Sequence, residues 1–127
     1  MKKNTIALLG ALAVFSSAHA DGDAAAGAKV FAQCSACHTV GASAQNSVGP
    51  VLNGVVGRAA GTSPGYRYSS AMRKSGLTWD EATLREYLRG PEKLVPGTKM
   101  AFPGITSDDD IANVIAYLKQ QIAAAAP

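Results

Sequence analysis

The chain has 127 residues, with 12 Lys and Arg against 9 Asp and Glu and a formal charge of +3. That length fits one domain, the charge is nearly balanced, and the sequence shows no basic stripe of the kind a nucleic-acid partner would need. Two cysteines and two histidines leave few ways to build a metal or acid–base site.

Residues 1–20 read as a cleaved secretory signal peptide. Lys2 and Lys3 make a positive start, residues 6–15 an apolar core, and Ala18-His19-Ala20 a small-x-small cleavage pattern. The apolar run falls short of the roughly 20 residues a spanning helix needs, so stable membrane insertion is not expected. Cleavage after Ala20 sends residues 21–127 to the periplasm as one domain. That domain keeps ten basic and nine acidic residues, for a charge of +1, and a single histidine, His38.

The first predicted helix covers residues 23–34, capped by Asp23, with Gly27, Val30, Phe31 and Cys34 at helical spacing. Residues 41–68 are rich in Gly, Ser, Pro and Asn and lack a period. So long an irregular stretch is unusual in a compact domain, unless a bound cofactor supplies the core it packs against. A short helix is predicted over 70–75, stopped by Gly76. Thr78 and Glu81 have capping-box spacing and open a helix that puts Leu84, Tyr87 and Leu88 on one face and ends at Gly90-Pro91. Ser107 caps the last helix, whose first turn carries Asp108, Asp109 and Asp110, the charge that the helix dipole favours there. Its apolar stripe is Ile111, Val114, Ile115, Leu118 and Ile122, and residues 123–127 are expected to fray. Nothing alternates well enough to be a strand, so the predicted fold class is all-α.

Cys34-Ser35-Ala36-Cys37-His38 is the C-x-x-C-H pattern of c-type haem attachment. Two thiols at that spacing add to the two vinyl groups of the haem, and the adjacent imidazole is held against the iron. Three other readings are weaker. A thioredoxin-like dithiol needs a βαβ context. A zinc site needs a fourth ligand. A disulfide across so small a loop stabilises little.

A haem iron held by histidine leaves a sixth position, and methionine there gives a carrier of raised potential. Met72 and Met100 are the candidates. Met72 sits in a predicted helix, whereas Met100 lies in a stretch broken by Pro96, Gly97, Pro103 and Gly104 that can deliver a side chain to the iron. Met100 is favoured, with Met72 as the possible exchange partner.

These residues, with Gly49-Pro50-x-Leu52, Gly57-Arg58, Pro64-Gly65-Tyr66-x-Tyr68, Gly76-Leu77-Thr78-Trp79, Tyr87-Leu88 and residues 96–102, resemble class I cytochromes c. The likeness is to the mitochondrial type and the small bacterial cytochromes c2, over nearly the whole exported chain. It implies the class I cytochrome c fold, few helices and long loops around one covalent haem c. It implies that Pro50 orients His38, that Arg58, Tyr68 and Trp79 surround the haem propionates, and that Tyr87 and Thr98 lie beside the Met100 sulfur. By the same resemblance Phe102 covers the haem edge, and Gly27 and Phe31 meet Val114 and Tyr117 where the first and last helices cross.

Three positions depart from the mitochondrial pattern: Met72 replaces an asparagine, and Gln33 and Glu92 replace lysines. The expected docking face, near Cys37, Lys93, Lys99 and Phe102, is therefore less basic, and weaker salt dependence of docking is expected. The resulting expectation is a monomeric one-electron carrier, not an enzyme. It would serve a respiratory or similar chain through transient docking with periplasmic or membrane redox partner proteins. A haem enzyme or gas sensor with a labile sixth ligand is the alternative.

Overall fold

A computed structural model describes residues 10–11 and 21–122. The expected signal segment, apart from Gly10 and Ala11, and the expected fraying at 123–127 lie outside the described residues. Among the described residues five helices follow one another: α1 (Ala24–Phe31), α2 (Ser70–Lys74), α3 (Glu81–Arg89), α4 (Pro91–Leu94) and α5 (Asp108–Lys119). Among the described residues there is no strand, only an isolated antiparallel bridge between Ala59 and Thr78. None of the described helices is long and apolar enough to cross a membrane.

The caps explain most boundaries. The Asp23 carboxylate accepts from the N–H groups of Ala25 and Ala26, and Ser107 accepts from Asp110, which satisfies donors that have no intrahelical partner. Three expectations need correction. Helix α1 stops at Phe31, because residues 32–37 tighten into turns that carry both cysteines. Helix α3 is capped by Asp80, which accepts from Thr83 at 2.8 Å. Thr78 stands two residues ahead of that cap, because bonds from Trp79 to Arg58 and from Ala60 to Leu77 hold the chain around it in a bridge with Ala59 and the helix starts only at Glu81. Finally, Ile122 lies beyond the end of α5 and is 78% exposed, so the apolar stripe stops at Leu118. The chain after Gly90 also makes the short helix α4, which the Gly90-Pro91 pair did not announce. Proline has a φ suited to the first helical turn and gives up an N–H not needed there, so the same pair that ends α3 starts α4.

Helices α1 and α5 cross closely. A β-carbon on Gly27 would overlap the Asn113 carbonyl and lie 2.9 Å from Tyr117 Cβ, so only glycine permits this approach. Phe31 packs its ring 5.2 Å from that of Tyr117, and Asn113 Oδ1 accepts from the Asp23 N–H at 2.8 Å. Ile111, Val114, Ile115 and Leu118 are buried beneath the crossing. Each such side chain contributes about 1.5–3 kcal/mol over its exposed state. Asp108, in the acidic first turn of α5, pairs with Arg89 of α3. The long segment between α1 and α2 is fastened at its edges. Gly57 N–H donates to Trp79, Trp79 to Arg58 and Ala60 to Leu77, at 2.7–2.9 Å, and Gly54 donates to Gln121 at 2.6 Å. Its inner side faces a cavity.

Candidate functional site

One wall of the cavity is the turn after α1. Cys34 N–H donates to Phe31, and the N–H groups of Cys37 and His38 both return to the Cys34 carbonyl, at 3.0 and 2.9 Å. This winding puts two free, half-buried thiols and one imidazole on a single turn. The returning chain docks beside it, with Gly49 N–H on Cys37 at 2.8 Å and Leu52 N–H on Thr39 at 3.1 Å. That register brings the Pro50 carbonyl to His38 Nδ1 at 2.7 Å. A carbonyl only accepts, so Nδ1 carries the proton and Nε2 keeps its lone pair. Burial lowers the His38 pKa below its usual 6.5, with the Pro50 bond opposing, and the ring is neutral at pH 7. Burial, and then the neighbouring Cys37, raise the Cys34 thiol above its usual value. The redox-active dithiols of thioredoxin-like proteins depend on the opposite shift.

A second wall comes from α2, α3 and the loop after α4. Met72, on α2, is buried, and Met100 is half-buried. The Tyr87 and Thr98 hydroxyls lie 2.9 Å apart, and Met100 N–H donates to Thr98 Oγ1 at 3.3 Å. Burial raises the Tyr87 pKa, against the lowering effect of Thr98, so the phenol keeps its proton.

A third group is polar. The bond from the Trp79 N–H to the Arg58 carbonyl fixes these residues side by side. Arg58 donates from Nη1 to Asn53 at 3.1 Å and from Nη2 to Val51 at 3.4 Å, while its buried Nε has no partner. The Tyr68 hydroxyl accepts from the Ser63 N–H at 2.9 Å, which leaves its own hydrogen to donate. Trp79 is buried with its ring 4.8 Å from that of Tyr87.

The three walls enclose a cavity of about 240 Å³. Cys34, Cys37, His38, Pro50, Arg58, Tyr68, Trp79, Tyr87, Thr98, Met100 and Phe102 all line it. A family model described as Cytochrome c matches residues 24–121. The chain belongs to the cytochrome c family.

Cytochrome c2 of Rhodomicrobium vannielii is 55% identical over 122 residues, covering 95% of this chain and 98% of that protein. Cytochrome c of Cannabis sativa is 48% identical over 103 residues, 80% of this chain and 93% of the relative. Among solved structures, cytochrome cH from Methylobacterium extorquens superposes with a TM-score of 0.74 at 55% identity, covering 78% of this chain and 99% of its own. As a cytochrome c, the protein carries one covalent haem c and transfers electrons. The residues present fit that group. The cavity is walled mainly by apolar side chains, the thiols and the imidazole share one turn, and Arg58 holds a buried N–H in need of an acceptor. A haem carboxylate supplies such an acceptor.

Some residues of the site carried no assigned role in the sequence. Gly49 was legible only as part of Gly49-Pro50, yet a β-carbon there would overlap the His38 ring. Val51 and Asn53 matter through their carbonyls, which a sequence cannot advertise. Ser69, Leu52 and Val55 also line the cavity. Lys99 and Phe102 reach its mouth, as does Val48, 69% exposed, whereas Lys93 is exposed on α4 and does not line it.

Proposed function

We propose that this cytochrome c shuttles single electrons between redox proteins of the periplasm, with haem joined to Cys34 and Cys37 and iron held between His38 and Met100. The observation that carries the reading is the His38–Pro50 bond of 2.7 Å. It occupies the one ring nitrogen and reserves the other, within a cavity that Met100 also lines. A bound haem iron supplies the one-electron couple, and methionine as partner to histidine raises its potential.

The chain's own groups do the rest. Pro50 fixes the imidazole's tautomer and orientation, an outer contact that raises a ligand's basicity. Arg58 neutralises the carboxylates at the polar end, where unpaired charge is costly to bury, and Tyr68 and Trp79 add hydrogen bonds. Tyr87 and Thr98 hold the backbone of Met100, and Phe102 covers the edge of the cavity. With His38 and Met100 both available to hold the iron, the electron transfer would need no substrate bound to it. Partners dock transiently around Cys37, Lys99 and Phe102, with Lys93 at the margin, in the small encounters typical of redox proteins. The leader, cleaved after Ala20, delivers the protein to the periplasm, where it acts as a monomer.

The test is the visible spectrum of the purified holoprotein. The oxidised form is expected to show the weak near-red absorption of thioether ligation, and the reduced form to resist carbon monoxide. A high-spin spectrum with rapid carbon monoxide binding would instead indicate an open iron, as a haem enzyme or gas sensor requires.

A further inference from the structure

We propose that Glu92 is a positioning residue, which holds Met100 in place through the backbone of Gly97 and so keeps small ligands off the iron. The proposal rests on the His38/Met100 reading above. The three residues before Met100 are each tied to a different part of the fold. Gly97 N–H donates to Glu92 Oε1 of α4 at 3.1 Å. Thr98 Oγ1 lies 2.9 Å from the Tyr87 hydroxyl of α3. The Lys99 ammonium donates to the Arg67 carbonyl at 2.7 Å and sits 5.0 Å from the Tyr66 ring centre, just ahead of α2.

Gly97 is the weak point of this arrangement. Its φ of 88° is in the left-handed region that favours glycine. A β-carbon there would meet Ala71 Cβ of α2 at 3.3 Å. The position therefore has no side chain with which to anchor itself, and its N–H carries the anchoring. A carboxylate acceptor makes that bond stronger than a neutral one. The bond also closes a unit already wound by Val95 N–H on Pro91 and Thr98 N–H on Val95, at 2.9 and 3.0 Å. Without Glu92, Gly97 is held only by its neighbours, and residues 96–98 swing more freely with Met100 downstream. Glu92 itself is exposed and does not line the cavity, so it acts through Gly97.

The experiment mixes oxidised holoprotein with imidazole and follows loss of the near-red absorption at saturating imidazole, where the rate reports opening of the Met100 loop. Glu92→Ala is expected to raise that rate by about fivefold, the worth of one exposed charge-assisted hydrogen bond. Glu92→Gln, whose amide oxygen still accepts, is expected to stay within about twofold of wild type by the same reasoning. Arg89→Ala, which breaks an exposed ion pair elsewhere, controls for general loosening and is expected to leave the rate unchanged. The idea is overturned if Glu92→Ala matches wild type, if Glu92→Gln is as fast as Glu92→Ala, or if Arg89→Ala accelerates exchange equally. A wild-type protein without the near-red absorption would instead overturn the Met100 reading, and this proposal with it.

Discussion

Gly49 presents its bare α-carbon to the imidazole of His38, where a β-carbon would stand 2.7 Å from Nδ1 and 2.9 Å from Nε2. The ring cannot retreat, because Nδ1 is bonded to Pro50 and the backbone of His38 to Cys34. Gly49→Ala is thus an overpacking substitution, expected to cost about 1–3 kcal/mol. In a domain of this size that lowers the melting temperature by about 4–8 °C per kcal/mol. The reduction potential should move as well, since the ring must tilt. Thermal melts and potentiometry of the holoprotein check both.

Met72 and Met100 separate packing from ligation. Met100→Ala should retain its haem but turn high-spin, lose the near-red absorption and bind carbon monoxide when reduced. Met72 is buried within the core, so Met72→Ala should cost about 2–5 kcal/mol and keep the near-red absorption. Spectra of the two variants with the reverse pattern would make Met72 the ligand.

Arg58 spends two of its nitrogens on carbonyls and keeps a buried Nε unpaired. Negative charge near the iron favours the oxidised state, so removing the guanidinium should lower the potential. Arg58→Gln is expected to lower it more than Arg58→Lys, which retains the charge and loses only the fork. Equal drops in a potentiometric titration would mean that geometry, and not charge, is what Arg58 contributes.

Two candidate caps for α3 can be told apart. Asp80→Ala should destabilise the protein more than Thr78→Ala, because Asp80 holds the Thr83 N–H. That bond lowers the Asp80 pKa from its usual 3.8. A depressed folded-state value gives stability that is fully present above the unfolded value and is lost as pH falls through the folded one. Asp80→Asn caps without titrating, so its urea stability should fall less steeply from pH 5 to pH 3 than that of wild type.

Gly27 tests the crossing of α1 and α5. Alanine would favour the helix by about 0.5–1 kcal/mol, but its methyl would strike the Asn113 carbonyl, at an overpacking cost of about 1–3 kcal/mol. The second effect wins on these magnitudes, so Gly27→Ala should be destabilising in chemical denaturation. A stabilised variant would show that the helices can separate at little cost.

The order of α1, α2, α3 and α5, the caps at Asp23 and Ser107, and the candidate haem turn at Cys34, Cys37 and His38 were legible in the sequence, because each rests on residues a few positions apart. A hydroxyl or carboxylate at an N-cap, or three ligating groups within five residues, needs no distant partner to be recognised. The cap of α3 was misread for a tertiary reason. Thr78 has the right spacing, but residues 57–60 bond the backbones of Leu77 and Trp79 on either side of it, so the helix starts later and the task falls to Asp80.

The rest belongs to the folded chain. Only folding brings the Pro50 carbonyl to His38, sets Arg58 beside Trp79 and closes the cavity with a loop tied at three places ahead of Met100. Four of the acceptors involved, at Pro50, Val51, Asn53 and Arg67, are backbone carbonyls, which every residue possesses and no sequence distinguishes. Their roles depend on register and close approach, and these were decided by how the helices and loops pack in three dimensions.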